Sequence, residues 1–396
     1  MSEWQTFCLK DLGKIVGGAT PSTNNPKNYG NKIAWITPKD LSTLQGRYIK
    51  KGSRSISRLG FKSCSCVLLP KHAILFSSRA PIGYVAIAEK RLCTNQGFKS
   101  IIPNKKIYFE FLYYLLKYHK DNISNIGGGT TFKEVSGATL SLFKVKIPPT
   151  YYEQQKIART LSVLDQKIEN NHKINELLHK ILDLLYEQYF VRFDFLDENN
   201  KPYQTSGGKM KFSKELNRLI PSGWSVRFLN HKIVSTYQPK TISKTLLNDS
   251  YSYSVYGGGG IIGRFTEYNH EQSEFIISCR GQCGISYLTL PKSWITGNAM
   301  VIRPTKSYTS KTYLYHTIKK YKLTNYITGS VQPQITRQNL STMPILIPKR
   351  KTLNKWNNIS SLLWNLIHNN MQSTQTLTAL RDFLLPLLLK QQVKPQ

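Results

Sequence analysis

Acidic residues are scarce in this sequence. Its 396 residues include 22 Asp and Glu against 55 Lys and Arg, which gives a formal net charge of +33 at pH 7. This imbalance is unlike the nearly neutral surface of an ordinary metabolic enzyme and predicts a polyanionic partner. Residues 1–150 hold 23 basic and 7 acidic side chains, residues 151–220 hold 11 and 10, and residues 221–396 hold 21 and 5. Two basic blocks therefore flank a nearly neutral one.

Long apolar runs, a leader peptide and paired cysteine motifs are also missing. No apolar stretch reaches the roughly 18–20 residues that a membrane-spanning helix needs. The first residues lack the basic and apolar regions of a signal peptide, so we expect a cytoplasmic protein. The six cysteines form no Cys-x-x-Cys pair and no set with histidines. This pattern argues against a metal site and predicts reduced thiols in folded cores.

An internal repeat of about 200 residues is the most informative pattern. Residues 74–83 align with residues 275–284, so that Arg79 coincides with Arg280. The other matched segments are 129–135 with 329–335, Ile147-Pro148 with Ile347-Pro348, and Trp4 with Trp224. Each copy shows short strands punctuated by Gly, Pro and Asn, and one amphipathic helix, expected near residues 108–118 and 311–320.

A heptad pattern follows each copy. Residues 151–190 are predicted to form one long helix, and a shift of 199 residues reproduces its apolar and small polar positions near the C-terminus. The positions are Leu164, Ile168, Asn171, Asn175, Leu178, Leu182 and Leu185, then Leu363, Ile367, Asn370, Thr374, Leu377, Arg381 and Leu384. Two such helices in one chain can pair only if the chain folds back, and Asn171 and Asn370 would then fix the register.

These patterns together predict an α+β fold with two repeated mixed α/β domains, separated by two long helices that form an antiparallel coiled coil. The predicted segments are a first domain at 1–150, a helical spacer at 151–195, a linker at 196–220, a second domain at 221–349 and a helical spacer at 350–396. A helix of about 38 residues would be roughly 57 Å long, more than one turn of duplex DNA.

Several motifs carry a family resemblance. They are residues 17–22 (GGATPS), 78–83 (SRAPIG), 94–97 (TNQG), 129–136 (GTTFKEVS), 147–158 (IPPTYYEQQKIA), 256–263 (YGGGGIIG), 280–284 (RGQCG) and 329–336 (GSVQPQIT). In this two-copy order they resemble the specificity subunits of type I restriction–modification systems, over nearly the whole chain.

The resemblance implies two target-recognition domains, each of which reads one half of a split site in double-stranded DNA. It implies that the helices space the half-sites and dock two methyltransferase subunits, which a restriction (translocase) subunit joins. No catalytic centre and no cofactor are implied for this chain, since S-adenosylmethionine would bind to the methyltransferase. The alternatives are a solitary specificity protein that competes for partners, a specificity subunit of a related methyltransferase–nuclease system, a nuclease or methyltransferase with a degenerate motif, and an RNA-binding protein.

The candidate DNA contacts are basic and polar side chains in the matched segments, together with a basic run in the extra length of the first copy. Arginine can bond to phosphate or to guanine O6 and N7, and glutamine can bond to adenine N6 and N7. In the first copy the candidates are Lys50, Lys51, Arg54, Arg58, Arg79, Asn95, Gln96, Thr130, Thr131 and Lys133. In the second copy they are Tyr256, Arg264, Arg280, Gln282, Asn298, Gln332, Gln334, Thr336 and Arg337. The competing interpretation is that these are structural arginines, ordinary polar loops and a solvated charged face.

The helices supply the candidate residues for helix pairing and partner docking. These are Leu164, Ile168, Asn171, Leu178, Leu182, Leu185, Leu363, Ile367, Asn370, Leu377 and Leu384.

Two further motifs have the residue spacing of other protein classes but lack the neighbouring elements that those classes need. Gly258-x-Gly260-x-x-Gly263 has the spacing of a dinucleotide-binding loop, but no helix is predicted after it, so we expect a loop beside DNA. Asp165-Gln-Lys167 has the spacing of a nuclease core without a second carboxylate to hold a metal, so we expect a solvated helix face.

Overall fold

The computed structural model describes residues 3–129, 133–281, 283–330 and 332–394. The chain divides into two compact units: unit 1 comprises Met1–Lys173 and Gln372–Gln396, and unit 2 comprises Ile174–Met371. Each unit contains one copy of the repeat and one stretch of each long helix. Among the helices of the described ranges, none combines the length and the apolar character that crossing a lipid bilayer requires.

The first copy of the repeat is built from short strands and helices. Its strands are β1 (Gln5–Cys8), β2 (Gly13–Gly17), β3 (Tyr29–Ile36), β4 (Tyr48–Ile49), β5 (Arg54–Ile56), β6 (Ile74–Phe76), β7 (Val85–Ala88), β8 (Cys93–Thr94), β9 (Lys99–Pro103) and β10 (Lys144–Ile147). Its helices are α1 (Leu9–Leu12), α2 (Pro38–Ser42), α3 (Arg58–Lys62), α4 (Phe109–Tyr118), α5 (Lys120–Asn125) and α6 (Gly137–Leu142). The long helix α7 (Tyr151–Tyr186) follows.

The second copy has a similar series. Its strands, together with those of the segment before it, are β11 (Met210–Ser213), β12 (Arg218–Pro221), β13 (Ser225–Phe228), β14 (Val234–Tyr237), β15 (Tyr253–Gly257), β16 (Gly260–Phe265), β17 (Phe275–Ser278), β18 (Ser286–Leu288), β19 (Trp294–Ile295), β20 (Ala299–Pro304), β21 (Ile327–Thr328), β22 (Gln334–Ile335) and β23 (Pro344–Ile347). Its helices are α8 (Lys311–Lys320) and α9 (Arg337–Leu340), and the long helix α10 (Arg350–Leu389) follows.

The central sheet of unit 1 is buried on both faces. Its strand order is β2-β9-β6-β7-β4, with only the β4–β7 pair parallel. Because side chains alternate along a strand, Ile74 and Phe76 pack with α4 while Leu75 packs on the other face with Leu69 and Phe98. The amphipathic pattern of α4 thus meets one face of the sheet, as the sequence predicted.

Unit 2 repeats this construction. Its antiparallel sheet has the order β14-β20-β17-β18. Phe275 and Ile277 pack with α8, while Ile276 packs on the other face with Tyr256 and Ile295. A smaller sheet is duplicated as well, with the order β5-β3-β8 in unit 1 and β16-β15-β19 in unit 2. The predicted pair of repeated mixed α/β domains is therefore confirmed.

One strand pair closes each copy just before its long helix. In unit 1, β1 pairs with β10 so that Gln5 opposes Ile147. In unit 2, β13 pairs with β23 so that Ser225 opposes Ile347. The start and end of each copy thus meet where the matched Ile-Pro pairs stand in the sequence.

The predicted antiparallel pairing of the long helices is confirmed within each unit. In unit 1, Asn171 Nδ2 donates to Thr374 Oγ1 at 3.2 Å, and Arg381 Nη1 lies 2.7 Å from Asp165 Oδ1. In unit 2, Asn370 Nδ2 donates to Asn175 Oδ1 at 2.9 Å. The ring centroids of His179 and Trp364 are 5.1 Å apart. Residue numbers rise along α7 as those of its partners fall along α10, and every predicted heptad position is buried or half-buried.

The prediction of a solvated helix face at Asp165 is wrong. The Asp165 side chain is buried and accepts a hydrogen bond from Tyr114 Oη at 2.6 Å as well as its ion pair with Arg381. Arg381 occupies a heptad position and is half-buried there. The buried Asp165 carboxylate neutralises its charge. Burial, together with the Asp165 carboxylate, raises the pKa of Tyr114.

The segment predicted as a linker has structure of its own. Strands β11 and β12 form a hairpin in which Phe212 opposes Leu219. Ahead of the hairpin, Phe195 stacks on Tyr203 and on Trp224, with ring centroids 4.9 and 5.1 Å apart. These aromatic side chains add to the core of unit 2, because Trp224 is fully buried there.

We expect Arg381→Met in the full chain to lower the free energy of unfolding by about 3 kcal/mol, because the Asp165 carboxylate would stay buried without its cation. The double substitution Asp165→Asn/Arg381→Met should recover most of that loss, since no unpaired charge remains. Chemical denaturation measures both values, with Arg159→Met on the exposed face of α7 as the control. A double variant as unstable as the single one would contradict the ion-pair explanation.

Candidate nucleic-acid interface

Three loops meet at one place in each copy of the repeat. In unit 1 the backbone N–H of Ser78 donates to Gly97 O at 2.8 Å, and the N–H of Val135 donates to Ser78 O at 3.0 Å. Ser78, which follows β6, therefore connects the loop before β9 to the loop before α6. We call this meeting point of residues 77–84, 95–98, 127–129 and 133–135 the first loop junction.

The second loop junction has the same hydrogen bonds. The N–H of Cys279 donates to Asn298 O at 3.0 Å, and the N–H of Ile335 donates to Cys279 O at 3.0 Å. It comprises residues 278–281, 283–285, 296–298, 328–330 and 332–335. The two loop junctions thus have equivalent main-chain hydrogen bonds and different side chains, as a duplicated recognition site requires.

The turn that presents the matched arginines is also duplicated. Gly83 N donates to Ser77 O at 3.0 Å, and Gly284 N donates to Ser278 O at 2.8 Å. The serine Oγ atoms accept from the next N–H, at 2.8 Å in unit 1 and 3.0 Å in unit 2. Gly83 and Gly284 have φ values of +101° and +91°, a left-handed conformation that favours glycine. Arg79 and Arg280 are therefore held at equivalent positions.

Four of the predicted contacts of the first copy lie at the first loop junction: Arg79, Asn95, Gln96 and Lys133. Arg79 is half-buried, and its Nη1 lies 3.4 Å from Glu134 Oε2. Asn95 Oδ1 accepts from Gly97 N at 3.0 Å, and the exposed Gln96 accepts from the Thr20 hydroxyl. Lys133 is exposed. Thr130 and Thr131 lie outside the described residues.

The second loop junction is more open. Arg280 is exposed, and a backbone bridge joins it to Gln334. Asn298, Gln332 and Arg337 are exposed as well. Thr336 Oγ1 accepts from Asn339 N at 3.1 Å and so caps α9, which gives this residue a structural role. Gln282 lies outside the described residues.

The basic run of the first copy lies on and just before an edge strand. Arg54 is on the edge strand β5 and Arg58 is on the helix α3 that follows, while Lys50 and Lys51 stand between β4 and β5. Lys50, Lys51, Arg54 and Arg58 are all exposed. The Arg54 guanidinium lies 4.3 Å from the centre of the Tyr29 ring, and Lys50 Nζ lies 4.0 Å from Glu89 Oε1. Strand β3 lies between β5 and β8, and β8 leads directly into the first loop junction. Sheet pairing thus connects the basic run to the junction.

The structure contradicts the prediction that Tyr256 contacts DNA. Its ring is buried, and its hydroxyl accepts from Leu290 N at 3.0 Å. Burial raises the pKa of Tyr256 to about 12. Arg264 is half-buried on β16 and donates to Tyr251 O at 3.0 Å, so part of its bonding capacity is already used. The glycine motif beside these residues is the turn of the β15–β16 hairpin.

Two residues in or next to the first loop junction, Glu134 and Lys99, were not predicted. Glu134 binds Arg79, and its Oε1 lies 3.4 Å from Lys99 Nζ. Its negative charge is the opposite of what a contact to phosphate requires, so charge alone does not mark it as a DNA contact. The signal was nevertheless present, because Glu134 aligns with Gln334 at the same offset of 200 residues that matches Leu140 with Leu340.

Comparison with known proteins agrees with the duplicated architecture. The family model described as "Type I restriction modification DNA specificity domain" matches residues 1–180 and 221–380. This chain belongs to that family. The type I restriction enzyme MjaIX specificity subunit of Methanocaldococcus jannaschii is 32% identical over 423 residues, which cover 98% of this chain and 92% of that protein. The two copies are the target-recognition domains of a type I specificity subunit.

Two further comparisons bear on parts of the chain and on its fold. The type I restriction enzyme HindI specificity subunit of Haemophilus influenzae is 31% identical over 191 residues, which cover 46% of this chain and 40% of that protein. A crystal structure of the type I S subunit from M. genitalium aligns with a TM-score of 0.60 at 19% identity. It covers 97% of this chain and 96% of that one. The likeness shows that this specificity subunit shares the fold.

We expect Arg280→Ala to reduce the slope of log binding constant against log salt by about one, because a freely exposed guanidinium can neutralise a phosphate. Arg79→Ala should reduce the slope by less than half as much, since Glu134 already opposes that charge. Titration of the full chain with random-sequence duplex at several salt concentrations measures both slopes. Arg227→Ala, an exposed arginine on β13, is the control for charge alone. Equal slopes for all three variants would contradict a role for the loop junctions.

Proposed function

We propose that this specificity subunit reads a bipartite DNA site, with one half-site read at each loop junction. The observation that carries the proposal is the duplicated backbone of the two junctions, which presents Arg79 and Arg280 from matching turns. Base edges are read by a few side chains on a rigid frame, while other cations position the protein on phosphates.

The charge distribution supports duplex DNA as the partner. The basic excess belongs to the residues of the two copies, and residues 151–220 are nearly neutral. In the first copy the exposed Lys50, Lys51, Arg54 and Arg58 would contact phosphates. Affinity would then depend strongly on salt, because each neutralised phosphate releases counterions.

We propose that α7 and α10 set the gap between the half-sites and dock methyltransferase subunits. In unit 2 an exposed apolar stripe runs along each helix: Ile174, Leu177, Ile181 and Leu184 on α7, and Ile359, Leu362 and Leu366 on α10. Each of these residues is followed directly by a buried or half-buried position of its helix, and one residue corresponds to about 100° around the helix. The offset is the same on both helices, so in an antiparallel pair the two stripes face the same side.

A shared apolar stripe of this kind suits an amphipathic helix of a partner. We propose that two methyltransferase subunits supply such helices and that a restriction subunit joins the complex. In this proposal the chain has no catalytic role of its own, and S-adenosylmethionine binds to the methyltransferase. The complex would act in the cytoplasm, where DNA is accessible to it.

Replacing residues 1–145 with the first copy of another family member should change one half of the methylated site. The other half and the gap should stay as they were, because the second loop junction and both helices are untouched. Mapping of methylated positions in cells that carry the complete system gives the result. The reciprocal exchange of residues 221–349 is the matched control and should change only the other half. A change in both halves after either exchange would refute the assignment of one copy to one half-site.

The double substitution Leu177→Asp/Leu184→Asp should weaken binding of the methyltransferase subunit at least tenfold. The two leucines are 58% and 68% exposed, so the fold should tolerate the charges while the apolar stripe is lost. Titration of the full chain with the purified methyltransferase subunit measures the effect. Lys173→Asp/Lys180→Asp places the same side chains on another exposed face of α7 and is the control. Unchanged affinity in the leucine variant would exclude this stripe as the docking surface.

A further inference from the structure

One charge difference between the two loop junctions lies beside the matched arginines. Residue 134 precedes Val135, and residue 334 precedes Ile335, whose N–H groups make the matched bonds to Ser78 and Cys279. The first junction has Glu134 at this position, and the second has Gln334. The main-chain hydrogen bonds are the same in both junctions, but the first junction has a carboxylate where the second has an amide.

Glu134 is held beside two cations without being fully enclosed. Its Oε2 lies 3.4 Å from Arg79 Nη1 and its Oε1 lies 3.4 Å from Lys99 Nζ. Both distances exceed the 2.7–2.9 Å that is typical of close charge-assisted hydrogen bonds. The Glu134 side chain is 36% exposed and that of Arg79 is 37% exposed. Each group therefore has free bonding capacity that faces solvent.

The second junction lacks this arrangement. The residue equivalent to Lys99 is Met300, which is buried in the core of unit 2. Gln334 is exposed and uncharged, and its amide can both donate and accept. Within the described residues, Arg280 has no carboxylate in ion-pair contact. Only the first junction therefore offers an anion and a cation side by side.

A carboxylate next to a guanidinium fits a C·G pair best among the base pairs in the major groove. An A·T pair also places a donor, adenine N6, beside an acceptor, thymine O4, but only the guanine of a C·G pair offers the guanidinium two adjacent acceptors. Cytosine presents its N4 amino group there as a donor, and the paired guanine presents O6 and N7 as acceptors. Watson–Crick pairing places N4 and O6 about 3 Å apart, close to the spacing of the Glu134 and Arg79 tips. A thymine O4 or guanine O6 in place of the cytosine amino group would face the carboxylate with a second acceptor.

We propose that Glu134 is a specificity-determining residue of the first target-recognition domain. Its carboxylate accepts a hydrogen bond from cytosine N4 while Arg79 donates to O6 and N7 of the paired guanine. Lys99 is a positioning residue that holds the carboxylate next to Arg79. The inference rests on the proposed function, since it names the base pair that the first loop junction reads.

The test is the methylated motif of cells that carry the complete system with Glu134→Gln. We expect one C·G position in one half-site to lose its requirement, with discrimination against other bases reduced about tenfold or more. The other half-site and the gap should be unchanged. Glu134→Asp keeps the acceptor and should retain the C·G requirement. Glu198→Gln, an equally conservative change at an exposed residue between α7 and β11, should leave the whole motif unchanged.

The outcomes separate this inference from the proposed function. If the wild-type complex methylates a bipartite motif and Glu134→Gln leaves it unaltered, the assignment of Glu134 falls while the proposed function stands. If Glu134→Asp relaxes the motif as much as Glu134→Gln does, the residue supports the loop without reading a base, and the inference falls. If the wild-type complex shows no bipartite motif, both proposals fall. Should Glu134→Gln prevent assembly, Arg79→Gln decides the question, because it should relax the requirement at the same C·G position. A motif that Arg79→Gln leaves unaltered would overturn the inference.

Discussion

The antiparallel pairing of α7 with α10 is the contact on which each unit depends. It joins stretches of chain about 200 residues apart, and polar side chains fix its register in both units: Asn171 with Thr374 in unit 1, and Asn175 with Asn370 in unit 2. A polar pair inside an apolar seam costs stability but disfavours shifted registers, since a shift would leave amides buried without partners. Each copy of the repeat is then closed by a strand pair that ends where its long helix begins.

The loop junctions rest on that frame through strands whose side chains are buried on both faces. Ile74, Leu75 and Phe76 leave β6 no exposed side, so the next residues emerge in a defined direction. Backbone hydrogen bonds, together with the hydroxyls of Ser77 and Ser278, then fix the loops. Other side chains at the junctions can therefore differ between the two copies without disturbing the main-chain hydrogen bonds.

Periodicity and repetition in the sequence predicted the two mixed domains, α4 and α8, both long helices and their antiparallel pairing. These features depend on residue spacing, which is visible in one dimension. The burial of Asp165 and of Tyr256 could not be predicted in this way. Each depends on a partner distant in sequence, Arg381 for the carboxylate and the backbone of Leu290 for the phenol. The segment at 196–220 has the turn residues of a linker, and only the aromatic contacts around Trp224 show that it belongs to unit 2.

The sequence predicted which loops form the candidate site. It predicted less well which side chains of those loops contact one another. The matched glycines located both junctions, because Gly83 and Gly284 adopt a backbone conformation that other residues rarely take. The electrostatic difference between the junctions arises from pairs that no spacing rule connects, since Arg79 and Lys99 reach Glu134 from two other loops and strands. A matched arginine is thus opposed by a carboxylate in one copy and exposed in the other. The two copies share their main-chain hydrogen bonds but differ in the charge beside the matched arginine, so one backbone geometry presents two different electrostatic surfaces.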